Sequence, residues 1–228
     1  MDGRAVSPSR KEDGMRTWRF WLVFALSLTL LLGLAAACKE EEKKSETPGP
    51  PGKTPVTSSV FVVPVTLTPG PGFAVVEDNA PRDFALERRG SDARPDAYLS
   101  FLSPDYVYDP DIPIAEFNPG ITKEPAPDDL MSWIEGNPGV EVVEEASDVT
   151  VSGEPGRQID VRGGSDGVAL FSMGPTQFVL FPGEPTRFVV LDINGLMVVV
   201  AGGPLGDAAF ESVVADIEAI LATVRFES

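Results

Sequence analysis

Histidine is absent from the 228-residue chain, and this sets the terms for any chemistry the sequence could do. His-based triads, His general bases and His metal sites fall away together. Carboxylates, hydroxyls and one thiol remain. The densest set of oxygen ligands is Asp105-Tyr-Val-Tyr-Asp109-Pro-Asp111, with Glu116 behind it. Calcium takes such oxygens, but a known calcium loop sets them at fixed steps with a glycine at the sharp turn. That pattern is unmet. Asp105, Asp109 and Asp111 therefore stand as candidate metal ligands against a solvated acidic loop, which the spacing favours. Tyr106 and Tyr108 could touch a ligand or partner, or pack locally. A serine nucleophile would need lysine as its base, and beyond residue 53 there is one lysine, Lys123, in a Pro-rich loop. Gly163-Gly-Ser-Asp-Gly167 could form an amide nest for an anion, yet it holds no Lys or Arg and sits where a turn is needed. A glycosidase needs only two carboxylates, and no pair stands out. The sequence points to no catalytic residue and no cofactor.

Cys38 is the only cysteine. It follows Ala35-Ala36-Ala37 at the end of an uncharged apolar run from Phe20, which Arg16 and Arg19 precede. A basic flank, an apolar core and a small-residue exit make a secretory signal. The segment resembles a bacterial lipoprotein signal, whose lipobox ends in an invariant cysteine. The resemblance implies that the Cys38 thiol takes a diacylglyceryl group and becomes the mature N-terminus. Two acyl chains anchor stably where one is marginal. The family prefers Leu three residues before the cysteine; Ala35 stands there, with Leu34 one step early. An uncleaved anchor stays open, because the run has about the 17–25 residues that cross a bilayer. Residues before Met15 are polar and include Glu12 and Asp13, so Met15, opening the basic MRTWRF, is an alternative start. The expected organisation is a signal peptide over 1–37, a lipidated cysteine and disordered tether over 38–56, and one domain over 57–228. The expected address is the extracytoplasmic face of the cell membrane, held there through Cys38.

The tether reads KEEEKKSETPGPPGKTP and has no apolar cluster whose burial would offset the entropy of ordering. The chain carries 18 basic and 35 acidic side chains, a net charge of −17. Such a surface repels phosphate backbones, which excludes nucleic acid as the expected partner. With no second cysteine, the domain stands on its apolar core without disulfides.

Positioning elements follow from periodicity. Strands are predicted over Val60–Val65, Phe73–Val76, Asp83–Glu87, Ala97–Leu102, Val140–Val143, Val149–Val151, Arg157–Val161, Val168–Ser172 and Gln177–Phe181. Asn194-Gly195 between Arg187–Ile193 and Leu196–Ala201 predicts a type I′ hairpin. Leu196–Val200 is apolar throughout, as in a central strand buried on both faces. A short helix is predicted over about 127–136, with Pro127 in its first turn, a Leu130, Trp133, Ile134 stripe, and Gly136 as its stop. A second, amphipathic helix is predicted over about 207–224, capped by Asp207 and facing inward through Phe210, Val213, Val214, Ile217, Ile220, Leu221 and Val224. The class is α+β: an antiparallel sheet sandwiched with these two helices.

The run Asp128–Pro138 and then Val149-Thr-Val-Ser-Gly-Glu-Pro-Gly-Arg-Gln-Ile-Asp-Val161 resembles a domain found in exported actinobacterial-type proteins. The element order over most of Val60–Phe226 is similar to the PsbP-like class, which includes LpqN-type lipoproteins. That resemblance implies a sheet between helices and a scaffold or binding module rather than one set chemistry. The expected function is a non-enzymatic binding or scaffold module with a protein or small-molecule partner. The alternative is a His-free hydrolase using paired carboxylates, which predicts a cleft holding two carboxylates, one with a raised pKa.

Overall fold

The computed structural model describes residues 54–227 apart from 111, 113, 115, 117 and 119. Residues 1–53, which hold the expected signal peptide, Cys38 and most of the expected tether, lie outside the described residues. Along the chain the strands are β1 (Val56–Ser58), β2 (Val65–Leu67), β3 (Phe73–Ala80), β4 (Asp83–Arg89), β5 (Pro95–Leu102), β6 (Tyr106–Tyr108) and β7 (Lys123–Pro125). After helix α1 (Leu130–Gly136) come β8 (Val140–Val151), β9 (Glu154–Gly163), β10 (Val168–Met173), β11 (Thr176–Leu180), β12 (Pro185–Ile193) and β13 (Leu196–Pro204). Helix α2 (Phe210–Leu221) and β14 (Arg225–Phe226) close the fold. The class is α+β, with most of the described chain in antiparallel strands.

The main sheet has seven strands in the order β3-β4-β5-β13-β12-β9-β8. β13 lies at its centre. Val198 and Val200 point into the layer under α2, and Val199 and Ala201 into the opposite layer. Both layers are dry, which is why this strand reads as a continuous apolar run. Asn194 (φ 56°) and Gly195 (φ 82°) make the expected I′ turn, and Asp192 Oδ1 accepts from the Gly195 N–H at 2.7 Å.

One face of the sheet buries Phe84, Leu86, Leu99, Phe101, Val189 and Leu191 against Val213, Ile217 and Ile220 of α2. Gly202 lets the helix sit close, since a Cβ there would come within 2.5 Å of Ile217 Cδ1. A small sheet ordered β1-β2-β14 extends this layer. The other face packs on α1 and on a four-stranded sheet ordered β11-β10-β6-β7. Phe171, Phe178 and Phe188 meet there with ring centroids 5.5–6.0 Å apart.

Several expectations are corrected. Val60–Val65 is no strand: residues 59–63 bend, and pairing begins only at Val65. Phe61 and Val63 are nevertheless buried with Val65 and Leu67, so the period-two burial runs through a bend. Val140–Val143 and Val149–Val151 are two ends of one strand, β8, because an edge strand exposed on both faces tolerates the acidic stretch between them. Arg157–Val161 is likewise only part of its strand: Ser152-Gly153, both at positive φ, make the whole turn out of β8, and β9 already pairs from Glu154. The short helix starts at Leu130, not 127: Asp129 is its cap, accepting from the Ser132 N–H at 3.1 Å and from the Ser132 hydroxyl at 2.7 Å. Asp207 does not cap the second helix, which begins at Phe210 after Ala209 with no side-chain cap. The first strand starts at Val56, one residue inside the expected tether.

Candidate functional site

The acidic loop divides. Asp105 sits at the turn into β6, where its N–H donates to Ser172 O and its C=O accepts from Ala126 N, both at 3.0 Å. Its carboxylate pairs with Arg82 at 2.9 Å. Tyr106 to Tyr108 form β6, bonded between β10 and β7. Asp109 follows the strand, and Asp111 lies outside the described residues. Among the described residues, no group of three or more acidic or cysteine side chains is placed to hold a metal ion.

The serine–lysine option acquires a geometry that spacing could not reveal. Lys123 Nζ stands 3.2 Å from Ser172 Oγ and 4.7 Å from the centre of the Tyr106 ring. Ser172 is 1% exposed, inside β10 with β6 and β11 as its neighbours on either side in the sheet. A hydroxyl so placed is closed off from a substrate carbonyl, and Lys123 Nζ donates to its oxygen. The pair ties β7 across β6 to β10.

Two clefts open on the main sheet. One, of about 590 Å³, lies between α1 and the β12–β13 hairpin. Leu130, Met131, Val190 and Met197 contribute apolar lining, and Asp105, Asp128, Asp129 and Asp192 stand around it. Three of these carboxylates are already employed: Asp105 by Arg82, Asp129 by the α1 cap, and Asp192 by its turn. The cap hydrogen bonds from Ser132 hold Asp129 below its ordinary pKa. Acids held upward are Asp83, raised to about 6 by burial and then by Glu77, and Glu184, raised by burial. Neither lines either of these two clefts. The arrangement expected of a carboxylate hydrolase, a raised acid facing a partner acid in a cleft, is not assembled at either one.

The second cleft, of about 550 Å³, runs beside α2 over β8 and β9 and is lined by Val149, Val151, Gln158, Leu221 and Ala222, with Arg187, Glu218 and Arg225 among its polar groups. Arg187 is the hub. Asp160 stands directly opposite it on β9 and grips the guanidinium with both oxygens, at 2.6 and 2.7 Å. Glu218 of α2 takes a third contact at 2.5 Å, and Glu144 of β8 lies 3.9 Å away. These hydrogen bonds, Asp160 first, hold the arginine above its ordinary pKa. Every face of the guanidinium fork is engaged by acid, so this arginine is a structural clamp and not an open anion site.

β8 is the remaining feature. It ends the main sheet and, among the described residues, pairs only with β9. Val142 and Val143 are 43% and 45% exposed. Glu141, Glu144, Glu145 and Asp148 are exposed on the same strand, which carries no Lys or Arg. Spacing gave this surface no signal, because the acidic middle of β8 reads as a loop. The other sheet edge, β3, is shifted in register twice and is bonded from outside by the Ser58 hydroxyl to Asp78. No family model matches this sequence, and no curated protein and no solved structure matches the chain.

Proposed function

We propose that the chain is an extracytoplasmic lipoprotein, anchored through Cys38, whose domain is a non-enzymatic module that binds a protein partner. The observation that carries this reading is the twelve-residue edge strand β8, open on its outer side among the described residues and exposing valines beside acids. Exposed apolar side chains on an unpaired sheet edge mark an interaction surface. The employed carboxylates of the α1 cleft and the buried Ser172 give a catalytic reading less to stand on. The signal-like segment ending at Cys38 supports the address.

The test uses the full chain in a bacterial host. Wild-type protein is expected in the membrane fraction with a mature N-terminus at Cys38 carrying acyl mass, and Cys38→Ser is expected unacylated. A photo-crosslinking residue at Val142 is expected to give a discrete adduct in intact cells that the same residue at Val76 does not. Equal crosslinking at the two positions, or none, would overturn the binding reading; an unmodified Cys38 would overturn the anchor.

A further inference from the structure

We propose that β8 accepts an extended, lysine- or arginine-rich segment of a partner protein as an eighth strand of the main sheet. This rests on the binding reading above and gives it a partner chemistry and a mode.

Hairpin geometry sets which backbone groups are open. Ser152 (φ 59°) and Gly153 (φ 87°) form a two-residue turn, so Val151 and Glu154, which pair across it, are a hydrogen-bonded pair. Pairs in an antiparallel ladder alternate between bonded and non-bonded. Val149 with Gly156 and Ser147 with Gln158 are then bonded inward, whereas Asp148 and Thr150 direct their N–H and C=O away from β9. The residue opposite Thr150 is Pro155, which has no N–H to give, in keeping with this phase. From Ser147 to Val151 the pairing runs without a shift, while upstream the register slips between Val142 and Glu144 and again between Glu144 and Ser147. A regular docking rail of five residues thus leads into a bulged, valine-bearing half.

Charge selects the occupant. The exposed acids of β8 would meet their own copies in an edge-to-edge dimer, and like charges opposite one another destabilise pairing. A cationic strand reverses that sign. Main-chain hydrogen bonds then supply affinity, and alternate side chains supply specificity. On one face they would lie over Val149 and the cleft beside α2; on the other they would pass Asp148 and Val142.

The experiment titrates the full chain in detergent with an end-capped peptide of alternating lysine and valine, eight residues long. Two further peptides are methylated on the backbone nitrogens of all valines or of all lysines. The parent peptide is expected to bind saturably and to slow amide exchange at Asp148 and Thr150. One of the two methylated peptides is expected to lose at least tenfold in affinity, because one set of amides must face β8. A glutamate-valine peptide is expected not to bind. Thr150→Pro removes an outward N–H at an edge position where proline is tolerated, and is expected to cost at least tenfold with an unchanged unfolding midpoint. If that variant unfolds, the methylated peptides decide. Equal binding by all three lysine peptides would mean a simple charged patch and would overturn strand addition while leaving the binding reading intact. No binding, or dimerisation of the free chain through β8, would overturn the proposal; persistent crosslinking at Val142 would then separate its failure from that of the module itself.

Discussion

Removing the carboxylate of Asp160 should expose how much of the fold hangs on one clamp. Asp160 and Arg187 have side chains 6% and 8% exposed, and they sit in a row across the sheet that runs from Glu144 through Asp160 and Arg187 to Gly202. Taking away one partner of a buried pair costs about 3–5 kcal/mol, because the other charge is left desolvated without compensation. Glu218 still holds Arg187 in Asp160→Leu, and a largely exposed partner is worth at most about 1 kcal/mol, so we expect about 2–4 kcal/mol. Among the described residues Asp160 has no second ion pair, so Arg187→Met should fall at the upper end. The double variant Asp160→Leu with Arg187→Met removes both charges into an apolar row beside Val189 and Ile217, and should cost no more than about 1 kcal/mol. Urea unfolding followed by circular dichroism gives each midpoint, with an unchanged denaturant slope licensing the comparison. A double variant as unstable as the sum of the two single ones would show that the residues do not act as a pair, and would refute the clamp.

Three other perturbations test separate parts of the structure. Asp83 titrates at about 6 because burial and Glu77 favour its neutral form; its folded pKa is raised, so stability is full below the ordinary carboxylate range and falls as pH rises through 6. At about 1.4 kcal/mol per unit the shift corresponds to about 3 kcal/mol, and its partial exposure reduces this to ~1–2. Asp83→Asn should therefore raise the melting temperature at pH 7.5 and leave it unchanged at pH 4, and an equal gain at both values would remove the electrostatic cause. Gly156→Ala places a Cβ 2.5 Å from Val190 O and from Leu191 Cδ2, where backbone must move, and should cost about 1–3 kcal/mol by chemical denaturation; a neutral result would mean that β9 shifts freely against β12. Phe61→Ala should lose about 3–5 kcal/mol, as a core phenylalanine does, although Phe61 lies in no strand; a loss under 1 kcal/mol would place that bend outside the cooperative unit.

Legibility in the sequence followed the physics of each element. Asn194-Gly195 and the apolar β13 could be read because turn chemistry and two-sided burial both act over a few adjacent residues. The α2 face could be read because Val213, Ile217, Ile220 and Leu221 repeat at helical spacing and are buried as that spacing requires. Phe61 shows the limit: a side chain reports that it is buried, not whether its backbone is paired. β8 shows the converse, since an edge strand with both faces in water loses the alternation by which strands are recognised. Lys123 and Ser172, like Asp160 and Arg187, are 49 and 27 residues apart in the chain. Their meeting depends on which strands become neighbours. The available signal was a charged residue set inside an apolar strand, in Gln158-Ile-Asp-Val161 and Thr186-Arg-Phe-Val-Val190, where burial of one charge demands another.

The polar row and the open edge have a common origin. Gly202 draws α2 down onto the middle of the sheet, and the apolar layer under the helix thins where Arg187, Asp160 and Glu144 replace it. A sheet covered out to β8 would need that strand to be apolar on at least one face. Here the helix stops short, Glu218 reaches across to hold Arg187, and β8 runs on with acids and valines in solvent. Charge on such an edge keeps identical chains from pairing. The same charge leaves the edge available to a strand of opposite sign. In this fold, then, the charge that opposes pairing between identical chains is the charge that would choose a strand partner, and Glu145→Lys should weaken both effects together, read as greater self-association in sedimentation and lower affinity for the lysine-valine peptide.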